Sequence, residues 1–184
     1  MLARTLGCLL LIGTTSHGWA APAKASLGCA AFIKAFPSEL GGFKASFERP
    51  LTINRGFGET LEGIDVHILA SSADLDGTLK CRGDAFLRFE LRLKAPAKDK
   101  QLADFATFEQ AALITAFGWD RGKAQTVSRA MDADAAEYLR ASEQRGDIYV
   151  AGKVEYHQGD ALDLGVIHTT SDHAFVIAAQ SSED

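Results

Sequence analysis

Ten consecutive residues, 85–94, alternate between apolar and mostly charged side chains, a pattern that an extended strand accommodates and a helix does not. Successive side chains of a strand point to opposite faces of its sheet. One face therefore meets a core, while the other meets water or a partner. The face predicted to be buried comprises Ala85, Leu87, Phe89, Leu91 and Leu93. The opposite face comprises Phe86, Arg88, Glu90, Arg92 and Lys94.

Two further strands are predicted before this one. Segment 61–70 has the same period of two, and a short strand passes through Leu79 and Cys81. Turn-forming pairs, Asp-Gly at 76–77 and Gly-Asp at 83–84, separate the strands. The three strands therefore form an antiparallel meander.

Apolar residues at helical spacing precede and follow this meander in the sequence. A helix is expected over 27–36, ended by Pro37 because the residue before a proline is pushed out of the helical region. A linker is expected at 95–102. Two helices follow, the first ending near Gly118 and the second near Gly146, with 132–134 as a candidate interruption of the second. A second three-strand meander is predicted at 148–157, 162–169 and 173–180.

The predicted fold class is α+β, a two-layer antiparallel sheet with helices on one face and the order α-βββ-αα-βββ. The loops of two to four residues are too short for parallel crossovers, which disfavours a doubly wound sheet. The repeated order of elements suggests a pseudo-duplication, although the two halves share no residue-level repeat.

The first twenty residues resemble a cleavable secretory leader. Arg4 precedes an apolar run from Leu6 to Gly13, and a short polar segment follows it. Small residues at Gly18 and Ala20 place the predicted cleavage after Ala20. The run is too short for a spanning helix, which needs about 20 apolar residues. We expect a leader at 1–20, one exported domain at 21–184 with a short disordered C-terminal tail, and a location in the periplasm or the medium.

Cysteine content and charge restrict the partners. Cys29 and Cys81 remain after cleavage, and in an oxidising compartment a single pair is expected to form a disulfide. The chain carries 24 acidic and 19 basic residues, a net charge of −5. This balance disfavours nucleic-acid binding, which depends on lysine and arginine contacts to phosphate. No membrane span is expected after cleavage of the leader.

The segment DLDGTL, residues 74–79, resembles the first signature of the haloacid dehalogenase phosphohydrolases. That resemblance implies Asp74 as a nucleophile, Asp76 as a general acid/base and a bound Mg²⁺. The surroundings differ from the family's, because the preceding residues read ASSA and the sheet is predicted to be antiparallel. An Asp-Gly turn between antiparallel strands is the favoured interpretation.

Two candidate metal sites follow from side-chain chemistry. Asp74 and Asp76, with Asp84, offer carboxylates for Ca²⁺. His168 and His173 flank the four-residue segment TTSD, so in a hairpin they are expected to lie opposite each other, where they offer two imidazoles for Zn²⁺ or Cu²⁺. Neither set is complete, and no cofactor is expected.

The function predicted from these observations is an exported binding or protein-interaction module without catalytic activity. Its candidate surface is the outer face of the third strand, formed by Phe86, Arg88, Glu90 and Arg92. Its partner is expected to be a protein or a small molecule. The alternative is a small metal-dependent, phosphatase-like hydrolase that uses Asp74 and Asp76 or the pair His168 and His173.

Overall fold

The computed structural model describes residues 27–42, 58–61, 63–71, 73–146, 151–158 and 162–180. The predicted leader and C-terminal tail lie outside these residues. The described elements are α1 (Cys29–Gly42), β1 (Gly58–Leu61), β2 (Ile64–Ser71), β3 (Leu75–Arg82), β4 (Ala85–Lys94), α2 (Asp99–Phe117), α3 (Arg121–Arg145), β5 (Ala151–Gln158), β6 (Leu162–Thr169) and β7 (Asp172–Ala179). The prediction of an α+β fold with two meanders is confirmed.

The strands form one antiparallel sheet in the order β1-β2-β3-β4-β7-β6-β5. The two meanders meet through their last strands, where Leu91 of β4 lies opposite Phe175 of β7. The last strand of each meander therefore lies inside the sheet, next to the last strand of the other meander. The prediction of a single strand over 61–70 was wrong at its start, because Gly63 has a φ of 76° and separates the short edge strand β1 from β2.

The core lies between the helices and one face of the sheet. Phe32, Phe36 and Leu40 recur every four residues along α1 and are all buried. The ring centroids of Phe32 and Phe36 each lie 5.2 Å from that of Phe89 in β4. The prediction that Pro37 ends this helix was wrong, since α1 continues to Gly42. Packing of Leu40 in the core offsets the backbone hydrogen bond that proline lacks.

A β-bulge changes the faces of β4. Lys80 pairs with Arg88 but Cys81 pairs with Phe86, which leaves Leu87 as the extra residue. Phe86 therefore turns into the core, where its ring centroid lies 5.4 Å from that of Phe32. The prediction that Phe86 belongs to the outer face was wrong. Strict alternation holds from Arg88 onwards, after the bulge.

The DLDGTL segment does not form a turn. Residues 75–79 lie within β3, and Gly77 pairs with Ala70 and Leu91. The predicted Asp-Gly turn was wrong, because the chain reverses before Leu75 and Gly77 is not among the glycines with positive φ. A Cβ at Gly77 would lie 3.1 Å from that of Ala70, so close strand packing is what requires glycine here.

A cysteine pair and a short linker connect other elements of the fold. The sulfur atoms of Cys29 and Cys81 are at bonding distance with their Cα atoms 6.1 Å apart, which joins α1 to β3. Four residues, 95–98, link β4 to α2, fewer than the predicted linker. Helix α3 runs through 132–134 without interruption. Of the helices in the described part of the chain, none combines the length and the apolarity that crossing a bilayer requires.

Candidate functional site

A cleft of about 380 Å³ opens between α2, α3 and the hairpin of β6 and β7. Apolar side chains form its walls, and an acid and two histidines form one end. The lining residues are Leu102, Phe105, Asp132, Ala133, Ala136, His168 and His173. Concave sites with apolar walls and a few convergent polar groups are typical of small-molecule binding.

The two histidines come from the β6–β7 hairpin. His168 lies directly opposite His173 in the register, which confirms the predicted juxtaposition. Their ring centroids are 4.4 Å apart with the planes at 78°. Both side chains are turned towards the helices, and His168 is only 7% exposed. They are therefore part of the covered face of the sheet and not solvent-facing turn residues.

Helix α3 supplies the acid. Oδ1 of Asp132 lies 3.2 Å from Nε2 of His168. This contact orients the imidazole. In the described residues, no group of three His, Cys, Asp or Glu side chains is arranged to hold a metal ion.

Behind this pair lies Glu109 of α2, which is completely buried. Ser128 donates a hydrogen bond of 2.8 Å to its Oε2. No N–H or hydroxyl group of another described residue donates to Oε1, but the carboxyl groups of Glu109 and Asp132 share a hydrogen bond when Glu109 is protonated. Burial, followed by the negative charge of Asp132, raises the pKa of Glu109 well above 4.5. The neutral acid is therefore the favoured form of this side chain.

His173 is the second buried group with an unsatisfied atom. Its Nδ1 is buried without a hydrogen-bond partner. Burial and the neighbouring His168 lower the pKa of His173, although Asp132 and Asp172 act in the opposite direction. The neutral imidazole is thus favoured. Nδ1 of His67 in β2 is a third buried atom without a hydrogen-bond partner among the described residues, so such atoms are not confined to this part of the fold.

Sequence reasoning missed Glu109, Ser128 and Asp132. One signal was available for Glu109, because it lies on the apolar side of α2. It follows Phe105 by four residues and Phe108 by one, and it precedes Ala112 by three, which is the spacing of one helix face. Asp132 carried no such signal. Its partner His168 lies 36 positions later, and only the fold brings them together.

The predicted Ca²⁺ carboxylates do not form one site. Asp74 and Asp76 stand at the start of β3, whereas Asp84 follows its end, about 25 Å away at the usual rise of a strand. Oδ2 of Asp74 accepts a hydrogen bond of 2.9 Å from Gln101 Nε2. Oδ1 of Asp84 accepts one of 2.8 Å from the backbone N–H of Ala30. The prediction of a shared site was wrong, and two of the three carboxylates have structural roles at helix N-termini.

Arg88, Glu90 and Arg92 lie together on the outer face of the sheet. Glu90 accepts hydrogen bonds from both guanidinium groups, that from Arg88 at 3.0 Å. Burial by itself raises the pKa of Glu90, but the bond from Arg92 and the two positive charges outweigh it and lower the pKa. The three side chains satisfy one another, and exposed ion pairs of this kind contribute about 0–1 kcal/mol each. This face therefore gives less indication of a ligand than the cleft does.

The cleft has the properties expected of a binding site: a concave shape, apolar walls and a few polar groups that converge at one end. No protein-family model, curated protein or solved structure matches this chain.

Proposed function

We propose that this chain is an exported binding module that holds a small, largely apolar molecule in the cleft and carries out no chemical step on it. The observation that supports this proposal most is the lining of the cleft: apolar side chains form its walls, and Asp132, His168 and His173 stand together at one end. Such a lining is typical of sites that bind small molecules.

The size and lining of the cleft favour a small molecule over a protein partner. Its volume of about 380 Å³ lies in the range of small-molecule pockets. Leu102, Phe105, Ala133 and Ala136 provide an apolar surface for the body of a ligand, while the acid and the histidines stand at one end. The outer sheet face, by contrast, presents charges that are already paired with one another.

Export is part of the proposal. It is supported by the leader-like pattern from Arg4 to Ala20 and by the Cys29–Cys81 pair, because disulfides persist in oxidising compartments. The periplasm or the medium is the expected location.

The alternative, a metal-dependent hydrolase, has less support. No group of three metal-ligating side chains is assembled within the described ranges, and Asp74 accepts a hydrogen bond from Gln101. Metal analysis of the purified protein tests this alternative. A metal ion bound at one equivalent, and lost in a His168→Ala variant, would favour the hydrolase over the binding module.

A thermal-shift screen of small aromatic and aliphatic compounds tests the binding proposal, with contacts mapped by NMR. Ala133→Phe fills the cleft from an exposed position of α3 and is expected to abolish binding. Ala130→Phe is the matched control, because Ala130 is also exposed on α3 but does not line the cleft. Equal loss of binding in both variants, or ligand-induced shifts confined to the outer sheet face, would contradict the proposal.

A further inference from the structure

The polar end of the cleft contains more negative than positive charge. Its lining includes the carboxylate of Asp132, but no lysine or arginine among the described residues. The nearby Asp172 acts on His173 as a second negative charge. The positive charge that His168 carries when protonated lies against Asp132 and is already paired.

The other groups at this end are neutral. Glu109 is buried, and its raised pKa favours the protonated acid. His173 is half-buried, and its lowered pKa favours the neutral imidazole. An anionic ligand would therefore meet Asp132 without a free cation to balance its charge, at a desolvation cost that an uncharged group does not incur.

A hydroxyl group on the ligand matches the hydrogen-bond donors and acceptors at this end of the cleft. A neutral imidazole has one N–H donor and one lone pair, a carboxylate only accepts, and a hydroxyl both donates and accepts. A ligand hydroxyl can thus donate to Asp132 or accept from His173 while its apolar body lies against Leu102 and Phe105.

We infer that the cleft discriminates against anions: it takes small apolar molecules with one hydroxyl group placed at Asp132 and His173 and rejects carboxylates of the same shape. This inference rests on the proposed binding function and names the ligand class for the same site. Asp132 is the residue that enforces the discrimination.

Three compounds with one apolar body test it: benzyl alcohol, benzylammonium and benzoate, titrated into the oxidised protein at neutral pH and followed by NMR. Benzyl alcohol and benzylammonium are both expected to bind about tenfold more tightly than benzoate, because neither places a negative charge against Asp132. Benzoate binding as tightly as the alcohol would overturn the inference but leave the binding function intact. If none of the three gives saturable shifts at the cleft, both proposals are overturned.

Asp132→Asn removes the charge and retains the shape. The ratio of benzyl alcohol to benzoate affinity is expected to fall towards unity in this variant. Asp134→Asn is the matched control, since Asp134 is exposed on the same helix and does not line the cleft. A ratio that stays at the wild-type value in Asp132→Asn would overturn the role of Asp132. If that variant does not fold, the ratio in the wild-type protein still decides whether the cleft discriminates against anions.

Discussion

Gly152 of β5 lies against the backbone carbonyl of Ala135 in α3, so close that a Cβ atom at Gly152 would overlap that oxygen and lie 2.7 Å from Leu139 N. Gly152 is also directly opposite His168 in the register of β5 and β6. One turn of α3 before Ala135 stands Asp132, which contacts His168. The absence of a side chain at Gly152 therefore lets α3 approach the sheet at the level where Asp132 reaches the histidine.

Gly152→Ala is expected to lower the free energy of unfolding by roughly 1–3 kcal/mol or more, since that is the range typical of overpacking. The atoms that must move to make room for the new Cβ belong to the backbone of α3 and not to a flexible side chain. Denaturant unfolding measures the change. Gly41→Ala is the control, since a Cβ there meets no atom within 4 Å, and its effect is expected to stay within about 0.5 kcal/mol. Comparable losses in the two variants would contradict the close approach.

Glu109→Gln is expected to make stability less dependent on pH. Because the pKa of Glu109 is raised in the folded state, its contribution to stability is fully present below 4.5 and is lost as the pH rises through the folded-state pKa. Glutamine keeps the acceptor for Ser128 but has no proton to lose. Urea unfolding measured from about pH 5 to pH 8 should give a free energy of unfolding that changes less with pH in the variant than in the wild-type protein. Each unit by which the pKa of Glu109 is raised corresponds to about 1.4 kcal/mol of this difference.

The exposed Glu137 of α3 provides the control for that series. Glu137→Gln is expected to follow the wild-type profile. If Glu109→Gln also follows it, the buried carboxyl is not the source of the pH dependence.

The imidazole of His173 is expected to titrate below 6.5. Because its pKa is lowered in the folded state, the unfolded chain takes up a proton more readily, so stability falls as the pH drops below 6.5 through the folded-state pKa. NMR titration of the ring protons measures the midpoint directly. A midpoint at or above 6.5 would contradict the burial of a neutral ring at this position.

Replacement of Cys29 and Cys81 together by alanine is expected to lower the free energy of unfolding by about 2–5 kcal/mol, the range for native disulfides in small exported domains. The bond closes a loop with a sequence separation of 52 residues. Thiol titration of the unreduced, denatured protein should detect neither of these two cysteines. Detection of both as free thiols, or equal stability of the oxidised and reduced wild-type protein, would argue against the bond.

Local periodicity was sufficient for much of the fold. Strand β6 alternates buried and half-buried residues along its whole length, and its bounds, 162–169, agree with the prediction. The C-terminal ends of α2 and α3 were also predicted, because Gly118 and Gly146 adopt the left-handed conformation in which helices commonly end. Such signals operate within a few residues and are readable from one segment at a time.

Other features depended on contacts between distant residues. The bulge that turns Phe86 into the core is a property of the pairing of β3 with β4 and leaves the alternation of β4 from Arg88 onwards unchanged. The continuation of α1 past Pro37 depends on the position that the core offers to Leu40. Local rules therefore predicted the wrong face in the first case and the wrong helix end in the second.

The sequence by itself thus determined the helices, the order of all strands except the edge strand β1, and the two cysteines and two histidines that form pairs. Only the tertiary structure decided that Asp132, His168 and His173 share one end of a cleft and that Glu109 is buried next to Asp132. The physical reason is that their proximity depends on strand register and on the distance between α3 and β5, which the steric freedom at Gly152 controls. Neither the strand register nor the distance between α3 and β5 produces a periodic pattern in the sequence around these residues.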